Sequence, residues 1–423
     1  MDRRRGTRWS GGWESVQSDV IRKPIRLRRP RCNPFEPSCG GEWIMNNKSV
    51  LISGASVAGL ALAYWLRGYG FAVTVVERAP APRGGGYDVD FRGPALEVLN
   101  RMGILDEVRE CQTPRRETTV LDGDGQQVAV LPAEWSAGDL EIQKGDLTYI
   151  LHVAAKTDVR YIFDNSIAAL TQRRDGVRVS FDRGEPQDFD LVVGADGIHS
   201  SVRALVFGPE WKFIRHLNIA GAGFTAANYL NLDNHGLLYR APGVSAGVMS
   251  GRGDEISVFL SFTTEPLDYD RNDIDQQKKL VDNRLAGHGW EIPRLLAAMR
   301  NAPDFYFDTF SQIHMVSWAK GRVALLGDAA YCAAPTSGRG TSQALIGAYV
   351  LAGELATVTD HEEAFATYEH QMRAYVAENQ RIGREVARWF LRFPTEITAE
   401  TAVESDKERV PVTITLKDYS YYA

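Results

Sequence analysis

Cysteine is scarce. The 423 residues hold four, Cys32, Cys39, Cys111 and Cys332, a spacing that fits no zinc site and is too thin for a disulfide scaffold. A reducing, cytoplasmic setting is therefore expected. No run of about twenty apolar residues occurs, so no segment reads as a membrane span. Excess positive charge is missing too. The formal net charge is −6, without the electrostatic footprint of a general nucleic-acid binder. No cluster of His, Cys and carboxylates has the spacing of a metal site, so no metal is predicted. Eighteen prolines and 39 glycines are too few for a fibrous or low-complexity chain.

What remains is a globular composition. With 44% hydrophobic and 24% charged residues, the chain suits one large or two linked domains with a sizeable core. Residues 1–44 carry ten Lys/Arg against five Asp/Glu and show no hydrophobic period. They read as a disordered N-terminal extension. Met45 stands just before a strong strand signal, and the natural start is expected near it.

Ser49-Val50-Leu51-Ile52-Ser53 is an apolar run that reads as a buried parallel strand. A helix is predicted from Ala58 to about Gly68, and a second strand over Ala72–Val76. That is a βαβ opening unit. Short β-rich runs separated by turns fill the region from about Phe213 to Val316. Arg322–Leu326 then returns to the style of the first unit. The pattern predicts an α/β chain with a discontinuous Rossmann-like nucleotide-binding domain, 45–212 and 317–360. A β-sheet substrate domain, 213–316, is inserted in it. A hairpin within 115–132, around Asp122-Gly123-Asp124-Gly125, joins the substrate domain. Residues 361–423 form a C-terminal helical segment and tail.

Three segments carry chemistry. The first is Gly54-Ala55-Ser56-Val57-Ala58-Gly59, with Glu77 eighteen residues beyond Gly59 and Arg78 beside it. Small residues between a strand and a helix let backbone N–H groups reach a pyrophosphate at the helix N-terminus, and Glu77 suits ribose hydroxyls. Ser56 replaces the middle glycine of the usual pattern, so this motif alone is weak; an ordinary glycine turn is the plain alternative. The second runs from Asp190 to Arg203 and contains Gly194-Ala195-Asp196-Gly197. The third contains Gly327-Asp328-Ala329-Ala330, then Pro335 and Gly338-Arg339-Gly340-Thr341-Ser342.

Taken together and in this order, the three segments closely resemble the group A FAD-dependent monooxygenases, the para-hydroxybenzoate hydroxylase-like family that includes tetracycline-modifying relatives. The resemblance runs from about Lys48 to at least Tyr368. It implies FAD as cofactor, NADPH or NADH as co-substrate, and O2 as oxidant. It implies oxygenation of a small organic, aromatic or polyketide-like substrate through a flavin C4a-hydroperoxide. Asp328 is then expected at the ribityl hydroxyls. Gly340, Thr341 and Ser342 open a helix whose positive end suits the flavin's anionic edge when reduced. Pro335 and Gly338 supply flavin-loop backbone, with no side-chain acid or base assigned. Asp196 and Gly197 resemble residues that serve FAD and nicotinamide approach, with a tight structural turn as the alternative. Arg92 matches an arginine at the FAD diphosphate. Lys144 stands where relatives usually carry Arg, keeping the charge and losing the planar fork. Arg203 reads equally as site or scaffold.

Phe224, Met249, Phe259, Phe305 and Phe307 are the substrate-pocket candidates; as strand residues they are as readily core. Arg339 sits where an uncharged residue is common and is expected to point to solvent. Cys332 reads as a packing residue. Two further functions share this scaffold: inactivation of a tetracycline-type antibiotic, and a flavin-dependent reductase of prenyl-type substrates. A degenerate FAD-binding protein is a third reading, against which the intact Gly327-Asp328 element speaks. The oligomeric state is not legible.

Overall fold

The computed structural model describes residues 48–82, 87–113, 117–133, 138–251, 253–391 and 413–420. The extension expected over 1–44, and the start expected near Met45, lie outside the described residues.

A six-stranded sheet forms around the opening unit. Its order is Ala319–Lys320, Val323–Leu325, Leu191–Gly194, Ser49–Ser53, Ala72–Val76 and Val159–Ile162. All neighbours pair parallel except the first two. Helices cover such a sheet on both faces, so its strands are apolar throughout. Leu51, Ile52, Val192, Val193 and Ala324 are fully buried accordingly. Helices Val57–Gly68 and Gly340–Thr357 pack against each other. The strand from 323–325 lies beside the one from 191–194 although more than a hundred residues separate them.

Those intervening residues build most of a seven-stranded sheet ordered Tyr306–Ile313, Ile214–Ala227, Glu255–Thr263, Val244–Ser250, His235–Ala241, Glu117–Leu121 and Gln127–Leu131. The hairpin Glu117–Leu131 joins its edge through a parallel pairing with His235–Ala241. Side chains alternate across a strand, and here the two faces do different things. One face packs Ala222, Phe224, Val248, Leu260 and Phe307 against helices Ile274–Leu285 and Ile292–Asn301. On the opposite face, Ile219 and Phe310 cluster with Ala387, Phe259 and Phe390. The long helix His361–Leu391 thus lies over part of that second face. A three-stranded meander (Ile167–Gln172, Val177–Phe181, Gln187–Phe189) and a small pair (Asp88–Phe91 with Leu140–Gln143) complete the strands described. Among the described residues no helix is long and apolar enough to cross a membrane.

The segment 413–420 is a strap. Tyr419 is 1% exposed, and a Cβ on Gly353 would lie 2.2 Å from its ring; only glycine leaves room for it. Its hydroxyl donates to the buried Glu354 at 2.7 Å, where Lys417 Nζ also sits at 2.6 Å and Gln371 Nε2 at 2.5 Å. The Lys417 carbonyl accepts from Arg101 and Tyr349. Removing Tyr419 opens a cavity and strips a donor from a buried carboxylate. Tyr419→Ala is expected to lower unfolding stability by about 3 kcal/mol, read by chemical denaturation; an unchanged midpoint would show that the strap carries no weight.

Candidate active site

The first glycine turn is shaped by close approach. Gly54 has φ +107, and a Cβ there would lie 2.5 Å from the Ala195 carbonyl oxygen; one on Gly59 would lie 1.9 Å from the Gly54 oxygen. The helix Val57–Gly68 therefore starts hard against the turn. Its N-cap is Ser56, whose side chain makes no capping bond, and its first turn holds no acid. Val57, Ala58 and Gly59 are buried. Glu77 is half-buried, and its two oxygens accept the N–H groups of Ala55 at 2.8 Å and Ala79 at 2.9 Å. It braces the turn from below. Arg78 is exposed.

In the second segment Asp196 is engaged by its own turn. Its carboxylate accepts Ser200 Oγ at 2.5 Å, Ser201 N–H and Oγ at 2.9 Å each, Val202 N–H at 3.2 Å and Ser53 Oγ at 3.4 Å. A carboxylate this well supplied closes the start of helix Ser201–Phe207. Gly197, φ +83, makes the turn possible. Arg203 is fully buried and works as scaffold. It donates to Ala329 O at 2.9 Å, Ile198 O at 2.5 Å and Glu210 Oε2 at 3.1 Å, tying the second segment to the third.

In the third segment, Gly327 (φ +65) sits between helix starts: a Cβ there would lie 3.1 Å from Ala58 Cβ and 3.8 Å from Ala344 Cβ. Asp328 follows it. Its side chain is exposed to a probe, yet burial pushes its carboxyl up from the ordinary value, with the Lys144 charge opposing. Asp328 is therefore reachable by solvent but crowded by protein, which disfavours its charged form. Tyr306 has the same character: 45% exposed, with its phenol pushed well up by burial and then by Asp308. Tyr87 lies 6.1 Å from Tyr306, and Lys144 Nζ sits 5.3 Å over the Tyr87 ring.

The helix Gly340–Thr357 opens beside this carboxylate. Its first turn holds no acid and its N-cap makes no side-chain bond. Gly340 is 3.9 Å from Asp328 Oδ1, measured from an added Cβ, and Thr341 is half-buried. The Arg92 N–H donates to Ser342 Oγ at 3.1 Å, and its guanidinium pairs with Asp90 at 3.1 Å, both within 4 Å of a Cβ added at Gly338. Arg92 is thus brought to the 338–342 loop. Pro335 is exposed in the turn Pro335–Ser337. The outward direction expected of Arg339 is wrong: it is 8% exposed, held in the loop close to Tyr375 and Glu378 of the long helix. Cys332 is buried, its thiol on the Ser311 carbonyl.

Strand alternation divides the five pocket candidates. Phe224 and Phe307 are corrected to core, because they lie on the face packed against helices 274–285 and 292–301, and Phe305 packs beside them. Met249 and Phe259 lie on the opposite face. There the pairing puts Tyr306, Gly223, Phe259, Gly247 and Leu238 side by side across five strands. The Phe259 ring is 3.6 Å from a Cβ added at Gly223. Two glycines separate the Tyr306, Phe259 and Leu238 side chains along this row, which ends at Tyr306.

One cluster had no sequence signal beyond a histidine inside the second segment. His199 Nδ1 lies 3.0 Å from Glu210, and Nε2 lies 3.1 Å from Asp308. These carboxylates hold the imidazole above its ordinary value despite burial, and both are themselves held low. Asp308 also accepts Tyr306 OH at 3.1 Å, Tyr269 OH at 3.2 Å and Thr309 N–H at 2.7 Å.

Two uncapped helix starts, a desolvated carboxylate beside one of them and a facing sheet define a nucleotide-cofactor enzyme of the flavoprotein type. Such uncapped N–H groups fit anionic ligands, so the residues present suit FAD, with its pyrophosphate and its flavin edge. A family model described as "FAD binding domain" matches residues 47–382. A flavin-dependent monooxygenase from an unknown prokaryotic organism is 40% identical over 85% of this chain and 94% of its own length. An uncharacterized protein of Mycobacterium tuberculosis is 43% identical over 88% of this chain and its own full length. The crystal structure of tetracycline destructase Tet(55) superposes with TM-score 0.77 at 38% identity, covering 85% of this chain and 94% of that one. The chain belongs to the FAD-binding family of group A flavin-dependent monooxygenases.

Arg203→Ala leaves Glu210 and two carbonyls short of a buried donor. It is expected to destabilise the fold by about 3 kcal/mol, measured by denaturant unfolding. A loss below about 0.5 kcal/mol, in the range of an ordinary surface change, would show that the guanidinium is not the tie between the segments.

Proposed function

We propose that the protein oxygenates a planar, polycyclic aromatic or polyketide-like molecule, using FAD, NADPH or NADH, and O2. The observation that carries this is the Asp328 carboxylate beside the uncapped start of helix Gly340–Thr357, close to the Gly223–Phe259–Gly247 row of the sheet. On this reading Gly54 and the Ser56–Gly59 helix start hold the pyrophosphate. Glu77 contacts the ribose edge with its remaining lone pairs, and Arg78 lies nearby. Asp328 accepts the ribityl hydroxyls. Gly340, Thr341 and Ser342 face the flavin's pyrimidine edge, with Arg92 and Lys144 adding positive charge. When bound, FAD supplies hydride acceptance and oxygen activation. The chain's own part is to hold it, exclude water and lay the substrate against it.

The substrate class rests on that row. Gly223 and Gly247 flank Phe259 and leave room for a planar ring system to stack. Similarity to the tetracycline destructase structure favours a tetracycline-type scaffold within that class. Residues 45–212 and 317–360 are read as the FAD-binding part, 213–316 as the substrate domain and 361–423 as helix and tail. A cytoplasmic setting belongs to the same reading, supported by the scarcity of cysteine.

Anaerobic reduction of the FAD-loaded protein by NADPH and by NADH, with and without tetracyclines and phenols, followed by air, is the test. Ligand-accelerated reduction and a product heavier by one oxygen atom support the reading. Tight FAD with no nicotinamide oxidation under any ligand would contradict it. Asp328→Ala should fold normally and weaken FAD binding at least tenfold, as expected for loss of a charge-assisted hydrogen bond of about 1.5–3 kcal/mol; fluorescence titration reads this, and unchanged affinity would remove Asp328 from the site.

A further inference from the structure

Group A chemistry has a simple stoichiometry. Substrate, O2, NAD(P)H and one proton give oxygenated product, NAD(P)+ and water. One proton must therefore enter the site each turnover. Asp328 and Tyr306 both lie at this site, and bound FAD and substrate displace bulk water from it. Something must carry the proton in.

The chain from Tyr306 leads out of the site. Tyr306 OH donates to Asp308 at 3.1 Å, and Asp308 meets His199 Nε2 at 3.1 Å. His199 Nδ1 meets Glu210 at 3.0 Å. Glu210 is a quarter exposed and pairs with Arg271, itself 48% exposed, at 3.4 Å. Every link from the Tyr306 phenol to Glu210 is within hydrogen-bond reach.

We infer that His199 stores the consumed proton and that Tyr306 delivers it into the active-site space through Asp308. The inference rests on the monooxygenase reading above. The transfer balances as follows. His199 gives its Nε2 proton to Asp308. Asp308 gives a proton to the Tyr306 oxygen as Tyr306 gives its own to an oxyanion in the site. The oxyanion becomes a hydroxyl and His199 becomes neutral with its Nδ1 proton kept; the imidazolium is restored when the ring turns its bare nitrogen to Glu210 and takes a solvent proton there. No electrons move along the chain.

A structural pin alone would need His199 between two carboxylates. It would not need the half-exposed Tyr306 phenol hydrogen-bonded to one of them. The charged and titratable groups facing this chain come from every element packed on it. Glu210 and Arg203 come from the helix side, His216 from the neighbouring strand, Tyr269 and Arg271 from the loop before helix 274–285, and Asp308 and Tyr306 from the edge strand. The two carboxylates touch the imidazole, whereas Arg203 and Arg271 lie beyond it on Glu210, so the charged imidazole is favoured. The store is full below the folded-state value of His199 and empties as pH rises through it.

The experiment has two arms. NMR titration of the histidine ring signals in the FAD-free protein, with His199 assigned by comparison with His199→Gln, needs no turnover. His199 should titrate above the ordinary histidine value, and Asp308→Asn should lower it. Titration at or below the ordinary value overturns the inference. In the second arm, kcat is followed against pH in the FAD-loaded enzyme with its best substrate. The wild type should lose rate on the alkaline side. Tyr306→Phe, which leaves the His199 pair in place, should lower kcat about a hundredfold with KM little changed, and should abolish that alkaline limb. A Tyr306→Phe profile that matches wild type overturns the inference. A wild type that oxidises no nicotinamide with any substrate sinks the monooxygenase reading instead, and the NMR arm still decides whether His199 is the store.

Discussion

Helices Val57–Gly68 and Gly340–Thr357 begin without a side-chain cap or an acid in the first turn, and the site is arranged beside them. The N–H groups at the start of an α-helix have no partner within it, and the peptide dipoles leave positive potential there. Here both starts are built from small residues, with no acid in the first turn and no capping side chain. Gly327 lies between the first turn of one helix, at Ala58, and Ala344 in the second turn of the other. Asp328 follows it as a desolvated carboxylate. A dinucleotide cofactor offers what this arrangement lacks: phosphate oxygens for one helix, an electron-rich ring edge for the other, and hydroxyls for the acid.

The surrounding interactions hold that arrangement still. Glu77 grips the first turn from beneath through two backbone N–H groups, and Asp196 closes the neighbouring helix with its whole carboxylate. Arg203 runs through the core to the backbone of the Gly-Asp segment. The long helix is docked on the flavin loop by Gln312, whose side chain donates to Ala333 and Gln380 carbonyls at 2.9 and 2.8 Å. His199 links the first sheet's loop to the edge strand of the second. These are hydrogen-bonded groups deep in protein, where an unmet donor or acceptor costs about 1–3 kcal/mol. Loss of one therefore disturbs the site as well as the fold.

Much of this was legible in the sequence. The first strand, helix and second strand follow from apolar runs and glycine punctuation. The three motifs point to one cofactor because each places small residues or an acid at a strand end. The placement of Lys144 near Asp328 and of Arg92 on the 338–342 loop agrees with a shared neighbourhood. What was not legible depends on facts that a linear pattern does not carry. Phe224 and Phe259 are both strand phenylalanines, and only the register decides that they face opposite sides. The serines that donate to Asp196 are supplied by the residues just after it, and type and position alone do not reveal that. The pairing of His199 with Asp308 crosses 109 residues, and no spacing rule predicts it. The Tyr419 strap lies in a tail whose sequence shows no periodicity, and it is fixed by a glycine on another helix.

The most direct measurement is a crystal structure of the FAD complex with a tetracycline-type ligand soaked in. The account predicts the pyrophosphate at the start of helix Val57–Gly68, the ribityl chain on Asp328, and the ligand's rings lying over Gly223, Phe259 and Gly247 within reach of the flavin. A flavin bound elsewhere, or a ligand seated on the Phe224 and Phe307 face of the sheet, would contradict it.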